Sequence, residues 1–341
     1  MVKNKLAFQR NINMLCKDRN FSGVVLVKRK QVLVMQSAYG YANRVDELQN
    51  NVSTRFGIAS GCKIFTAIAI CQLVEKGLLS FSSKLKDCLA IHFPHFHTDI
   101  TVHHLLTHSS GVPDYFDESV MNDFADLWKE NPMYLINNLQ DFLPMFQDGK
   151  MMFDPGERFH YNNAGYILLG LIIEENSGMP FIKYVEENIF HPCGMKNSGY
   201  FSLDQLPRNT AYGYIDDEEN GIWKTNVYSI PIKGGSDGGA FITVGDMGKL
   251  WDKLMSYKLL NKNMTELLLT PHVKVEDNEF YGYGIWISKR NGSIYKYHVM
   301  GYDPGVSFHS SFYPHNDVIL VIPSNKESGP YELTKAIEKL L

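Results

Sequence analysis

Ser60-Gly61-Cys62-Lys63-Ile64-Phe65-Thr66-Ala67-Ile68-Ala69-Ile70-Cys71-Gln72-Leu73-Val74 is the stretch from which the rest of the chain can be read. From Ile64 to Val74 the residues are apolar on nearly every helical face, a pattern suited to a helix enclosed by protein. Glu75-Lys76-Gly77 then supplies a polar last turn and a glycine stop. Ser60 and Lys63, three residues apart, share one face. A serine hydroxyl is a poor nucleophile until a neighbour accepts its proton. A lysine in a partly apolar, electropositive site can be pushed toward the neutral amine that does so. The helix N-terminus adds free N–H groups where an oxyanion would form. Taken alone, the same four residues also describe an N-capping serine followed by a first-turn lysine, so the motif needs support from elsewhere.

The bulk properties restrict the setting. The 341 residues allow one large domain or two interleaved ones, and 44% hydrophobic with 21% charged residues is ordinary for a globular protein. A net charge of -4 with scattered Lys and Arg offers no field for nucleic acid. The first ten residues lack the apolar core of a secretory signal, and no run approaches the roughly 20 apolar residues that span a bilayer. Five cysteines without C-x-x-C spacing argue against a disulfide framework or a zinc site. A cytoplasmic protein without metal or cofactor is expected. The histidines between His92 and His108 lack the convergent pattern of a metal site.

Residues 1–19 read as a polar helix, and Gly23–Val27 with Val32–Met35 as a hairpin across a charged turn. Residues 80–230 are mainly helical and punctuated by prolines, with strong helices expected from Ala164 to Glu175 and from about Val244 to Tyr257. Strands are expected at 282–287, 293–300, 306–313 and 318–322, followed by a terminal helix from about Pro330. Strands at both ends therefore enclose a helical middle. The expected fold is α/β of the α+β type: an antiparallel sheet flanked by helices, plus a mainly helical region.

A second dense segment follows the turn Asp154-Pro155-Gly156. Tyr161 and Asn163 stand just before the helix that starts near Ala164. A tyrosine here can trade its phenolic proton if neighbouring cations favour the phenolate. An asparagine amide can hold a lysine and a substrate carbonyl at once, because it carries both acceptor and donor. Helix cap and core aromatic are the alternative roles for these two residues.

Ser60-x-x-Lys63 followed by Tyr161-x-Asn163 resembles the serine β-lactamase-like family, which includes class C β-lactamases, penicillin-binding D-alanyl-D-alanine carboxypeptidases, D-aminopeptidases and related esterases. The resemblance extends to Leu105-Leu106-Thr107-His108-Ser109-Ser110-Gly111, to Pro192-Cys193-Gly194-Met195 and to the stretch from Gly234-Gly235 to Asp246-Met247. It runs from about residue 20 to 325. It implies one catalytic domain over 1–341, with an α/β region (about 1–79 and 234–341), a helical region (about 80–233) and the site between them. It also implies Ser60 as nucleophile, Lys63 and Tyr161 as its proton network, and Asn163 as the residue that orients Lys63 and substrate.

The family's third motif is Lys or His, any residue, then Gly. Here the chain reads Tyr297-His298-Val299-Met300-Gly301-Tyr302-Asp303-Pro304-Gly305. Counted back from Asp303, Gly301 is the motif glycine, Val299 takes the cationic position, and Tyr302 N–H becomes a second oxyanion donor beside Ser60 N–H. Counted forward, His298 is the cation and Met300 replaces the glycine. Strand alternation forbids His298 and Val299 from sharing a face without a bulge. The substrate-binding candidates are therefore Asn163, His298, Gly301 and Tyr302. With Gly301 in the motif, no cation is evident for the carboxylate of a β-lactam or D-Ala peptide.

The expected function is acyl transfer through a Ser60 acyl-enzyme, on esters or on D-amino-acid amides or short peptides. A non-catalytic binding or sensing relative is the alternative, and a true β-lactamase or carboxypeptidase is another.

Overall fold

The computed structural model describes residues 5–121 and 123–341; the first four residues of the expected N-terminal helix lie outside that range. Helix α1 (Lys5–Asp18) leads into β1 (Gly23–Arg29) and β2 (Val32–Tyr39), the expected hairpin. The second half of the chain supplies β3 (Val273–Glu276), β4 (Glu279–Tyr281), β5 (Trp286–Arg290), β6 (Ser293–Asp303), β7 (Val306–Tyr313) and β8 (Val318–Ser324). These eight strands form one antiparallel sheet in the order β2-β1-β8-β7-β6-β5-β4-β3. The N-terminal hairpin thus docks on the last strand, which closes the sheet from both chain ends.

Alternation assigns the two faces. Val25, Val27, Leu320 and Ile322 point to one side, where Phe8 and Ile12 of α1 meet Leu333 and Ile337 of the terminal helix Pro330–Glu338. Val24, Leu26, Val299, Phe308 and Val321 point to the other, into the main core. That core contains the helix Lys63–Glu75, every residue of which from Lys63 to Leu73 is buried. Each large apolar side chain enclosed there contributes about 1.5–3 kcal/mol relative to exposure. Against it packs the helix Asn163–Ser177, buried from Asn163 to Ile173 and ended by Gly178 in a left-handed conformation. The helix Val244–Met255 covers β1 and β8 on the same side, and its Trp251 indole donates to Ser310 Oγ at 2.8 Å.

Several expectations change. Residues 282–285 form a turn rather than a strand, with Gly284 at φ +68° and its Cα so close to the Lys63 carbonyl that a Cβ would lie 2.8 Å from it. A small hairpin, Tyr214–Asp217 with Ile222–Thr225, interrupts the stretch expected to be mainly helical. Among the described residues, no helix is long and apolar enough to cross a membrane.

Candidate active site

Ser60 sits in a tight 3-10 turn, Ala59–Cys62, which runs directly into the helix that begins at Lys63. Ala59, immediately before the serine, has φ +44°, a left-handed conformation that L-residues adopt at a cost of roughly 1–3 kcal/mol. The turn is held from the sheet side. A Cβ on Gly301 would fall 2.2 Å from Ile58 O, 2.7 Å from Gly61 N and 2.8 Å from Ser60 N, so only glycine lets β6 approach this closely.

Lys63 is 2% exposed, yet all three positions around its Nζ are filled. Nζ lies 2.9 Å from Ser60 Oγ, 2.7 Å from Asn163 Oδ1 and 2.7 Å from the Asp237 carbonyl oxygen. These contacts satisfy a buried amino group that would otherwise be costly to desolvate. Tyr161 closes the group: its ring centroid is 5.0 Å from Lys63 Nζ, and its hydroxyl shares a hydrogen bond with Ser60. Burial, followed by the charge of Glu118, pushes the Tyr161 phenol well above its ordinary pKa, and the Ser60 hydrogen bond opposes this only in part. The resting residue is therefore a protonated phenol, not the phenolate that a cation-rich site would give.

Asn163 is the first residue of its helix, while the neighbouring Asn162 is the cap, accepting from Gly165 N–H at 2.7 Å. The Asn163 backbone N–H and that of Ala164 donate to Asp114 at 2.7 and 2.9 Å. Asp114 thus fixes the helix start from which the Asn163 side chain reaches Lys63. Burial raises the Asp114 carboxyl to about 7, against the hydrogen bonds from Asn163 and Ala164 that favour its charge. His108, at φ +54°, accepts from Asn162 N–H through Nδ1 at 3.1 Å and stacks 4.4 Å from the Tyr161 ring, positioning that tyrosine.

The glycine-rich loop 234–239 supplies the third Lys63 acceptor. Its backbone doubles back so tightly that a Cβ on Gly234 would meet Gly239 C at 2.6 Å. Thr66 donates to Ser236 O at 2.6 Å, and the buried Asp237 carboxylate accepts from the Tyr115 hydroxyl. The resemblance includes this stretch but gives none of its residues a contact with Lys63. A backbone carbonyl has no residue signature, so this part of the site leaves no mark beyond its glycines.

The third-motif candidates separate cleanly. Val299 and Gly301 face the Ser60 side, with Val299 in the main core. His298 is turned to the opposite face, stacked 5.1 Å from His309 and 6.4 Å from Trp286, and does not line the Ser60 cavity. This corrects its expected substrate contact, and the reason is the unbroken alternation from Tyr297 to Asp303. Burial, then His309 and Lys296, holds His298 far below its ordinary pKa, so it carries no charge. Tyr302 reaches the cavity edge, but its side chain is 47% exposed and leans toward Tyr331 and Glu332.

Beside Ser60 opens a cavity of about 610 Å³, lined by Tyr115, Glu118, Asn163, Asp237, Tyr302 and Asp303 among others. Among the described residues lining it there is no lysine or arginine. Across Ile230, Pro231 and Asp303 it adjoins a second, mainly apolar cavity of about 620 Å³.

An antiparallel sheet with a cavity-facing serine beside a buried lysine at a helix start defines a class, the hydrolases of the penicillin-binding-protein and β-lactamase fold. The family model described as Beta-lactamase matches residues 8–341, and the chain belongs to that family of serine hydrolases. It is 28% identical to penicillin-binding protein 4* of Bacillus subtilis over all of this chain and 77% of the relative. To the putative penicillin-binding protein PbpX of the same organism it is 30% identical, over 94% of this chain and 74% of the relative. The solved structure of a penicillin-binding protein from Bacillus halodurans superposes with a TM-score of 0.93 at 56% identity, covering 97% of this chain and 100% of the other.

Proposed function

We propose that the protein hydrolyses esters or D-amino-acid amides and short peptides by acyl transfer through Ser60. The observation that carries this reading is the set of three contacts around Lys63 Nζ. In the neutral amine two N–H groups are taken by Asn163 Oδ1 and the Asp237 carbonyl, which leaves the lone pair directed at Ser60 Oγ. The serine proton moves to that position as Oγ bonds to the substrate carbonyl carbon. Ser60 N–H and Tyr302 N–H would hold the resulting oxyanion.

Collapse of the tetrahedral species breaks the bond to the leaving group, which departs with a proton from Tyr161. Lys63 returns its proton to the resulting phenolate, so the network ends neutral and Ser60 is acylated. Water then attacks the acyl-enzyme, losing its proton through Tyr161 to Lys63, and Lys63 passes a proton to Ser60 Oγ as its bond to the acyl carbon breaks and the acid is released. A phenol held protonated suits this relay role. Asn163 Nδ2, which makes no hydrogen bond among the described residues, is left to face the substrate carbonyl.

The absence of lysine and arginine from the described cavity lining disfavours carboxylate-bearing substrates, hence β-lactams and C-terminal D-Ala peptides. Five unpaired cysteines fit the reducing, cytoplasmic setting we propose. The test is a panel of p-nitrophenyl esters, D-amino-acid p-nitroanilides and nitrocefin. Turnover of the first two classes in preference to the third, lost in Ser60→Ala, supports the reading; nitrocefin as best substrate contradicts it.

A further inference from the structure

The cavity beside Ser60 carries a charge of definite sign. Glu118, Asp237 and Asp303 line it. Asp237 is engaged by the Tyr115 hydroxyl. Asp303 differs: among the described residues it receives no hydrogen bond and no ion pair, and the same holds for Glu118 at the exposed rim. Asp303 stands half-buried where the two cavities meet, with the apolar walls of the second on one side of it. A carboxylate in such a place is costly unless something positive completes it. Lys63 Nζ is already engaged by Ser60, Asn163 and the Asp237 carbonyl, so it has no hydrogen bond left to give Asp303. The protein therefore provides an acceptor beside the nucleophile and no donor for it.

We propose that Asp303, assisted by Glu118, binds a primary ammonium on the acyl part of the substrate, so that the enzyme selects amino-acid amides or esters with a free amine. This rests on the reading of Ser60 as the acylated residue, and it specifies the substrate class of that same cavity. An ammonium there donates to Asp303, and its positive charge replaces the missing donor. An N-acylated amine would be neutral and would leave Asp303 uncompensated. A substrate carboxylate would face three acids.

The test compares alanine p-nitroanilide, in both enantiomers, with isobutyryl p-nitroanilide, in which a methyl group replaces the ammonium. The wild-type protein should favour one alanine enantiomer in kcat/KM by about ten- to hundredfold, the range expected of a hydrogen bond to a charged group. Asp303→Asn should bring the ratio of alanine to isobutyryl turnover near unity, and Glu118→Gln should reduce it partially. Calorimetric titration of Ser60→Ala with alaninamide and with isobutyramide reads recognition without chemistry. Stronger binding of alaninamide, lost on adding Asp303→Asn, supports the proposal even if turnover is slow. Equal binding of the two amides, or a preference that survives Asp303→Asn, overturns it. Loss of turnover for every substrate with alaninamide still preferred would instead count against the catalytic reading of Ser60.

Discussion

Gly301 and Ser60 are in backbone contact: a Cβ built on the glycine would lie 2.8 Å from the serine nitrogen. The sheet thereby sets the position of the nucleophile's turn, since β6 presses on the turn whose Ala59 is already at φ +44°. Gly301→Ala must push the two apart. We expect a cost of about 1–3 kcal/mol, typical of overpacking, and at least a tenfold fall in kcat with the Ser60 N–H displaced. Thermal melts and ester turnover check this. Wild-type activity in the variant would show that the contact does not position the turn.

Asn163 and Lys63 meet at 2.7 Å. Asn163→Ala removes one of two carbonyl acceptors that direct the Lys63 lone pair, and it removes the amide facing the substrate. A loss of about 10² in kcat/KM is expected, as for misorientation of a catalytic group. The fold should persist, because Asn162 remains the cap. Asn163→Asp leaves the acceptor but loses the amide N–H, so it should recover the Lys63 contact without restoring substrate binding.

Tyr161→Phe keeps the ring against His108 and Trp286 but removes the hydroxyl bonded to Ser60. Loss of a positioned acid–base group costs about 10²–10⁴. The effect should be smallest for p-nitrophenyl esters, whose leaving group needs no proton, and larger for anilides. Equal losses on both would argue against Tyr161 as the leaving-group acid.

The legible parts of this molecule were those with local signatures. Ser60 and Lys63 declare themselves by a three-residue spacing ahead of an apolar helix, and β-branched runs mark the hairpin at 23–39. Residues 273–281 escape notice because Lys274, Glu276 and Glu279 punctuate short strands at the sheet edge, where Lys274 pairs with Asp277 and Glu279 accepts from Ser288 Oγ. The choice between His298 and Val299 depends on strand parity, which sequence leaves open until a bulge is excluded. The Asp237 carbonyl and the Asp114 carboxylate act on or through backbone, so their roles emerge only once distant segments meet.

Asp303 offers a pH test. Burial, then the charge of Asp237, raises its carboxyl to about 7, with Glu118 acting the same way and Lys63 opposing. A folded pKa above the unfolded value means that the native state binds more protons. The resulting stability is present in acid and is lost as pH rises from about 4 through 7. Asp303→Asn removes the buried charge, so it should raise the melting temperature at pH 8 and leave it nearly unchanged at pH 5. A lower melting temperature at pH 8 would show that the protein already compensates this carboxylate.

We propose that Lys63 activates Ser60 as a nucleophile. The most direct measurement is intact-protein and peptide mass spectrometry after brief exposure to a fluorophosphonate. The account predicts a single adduct on Ser60, absent in Ser60→Ala and formed far more slowly in Lys63→Ala. No adduct on Ser60, or labelling that proceeds equally without Lys63, would contradict it.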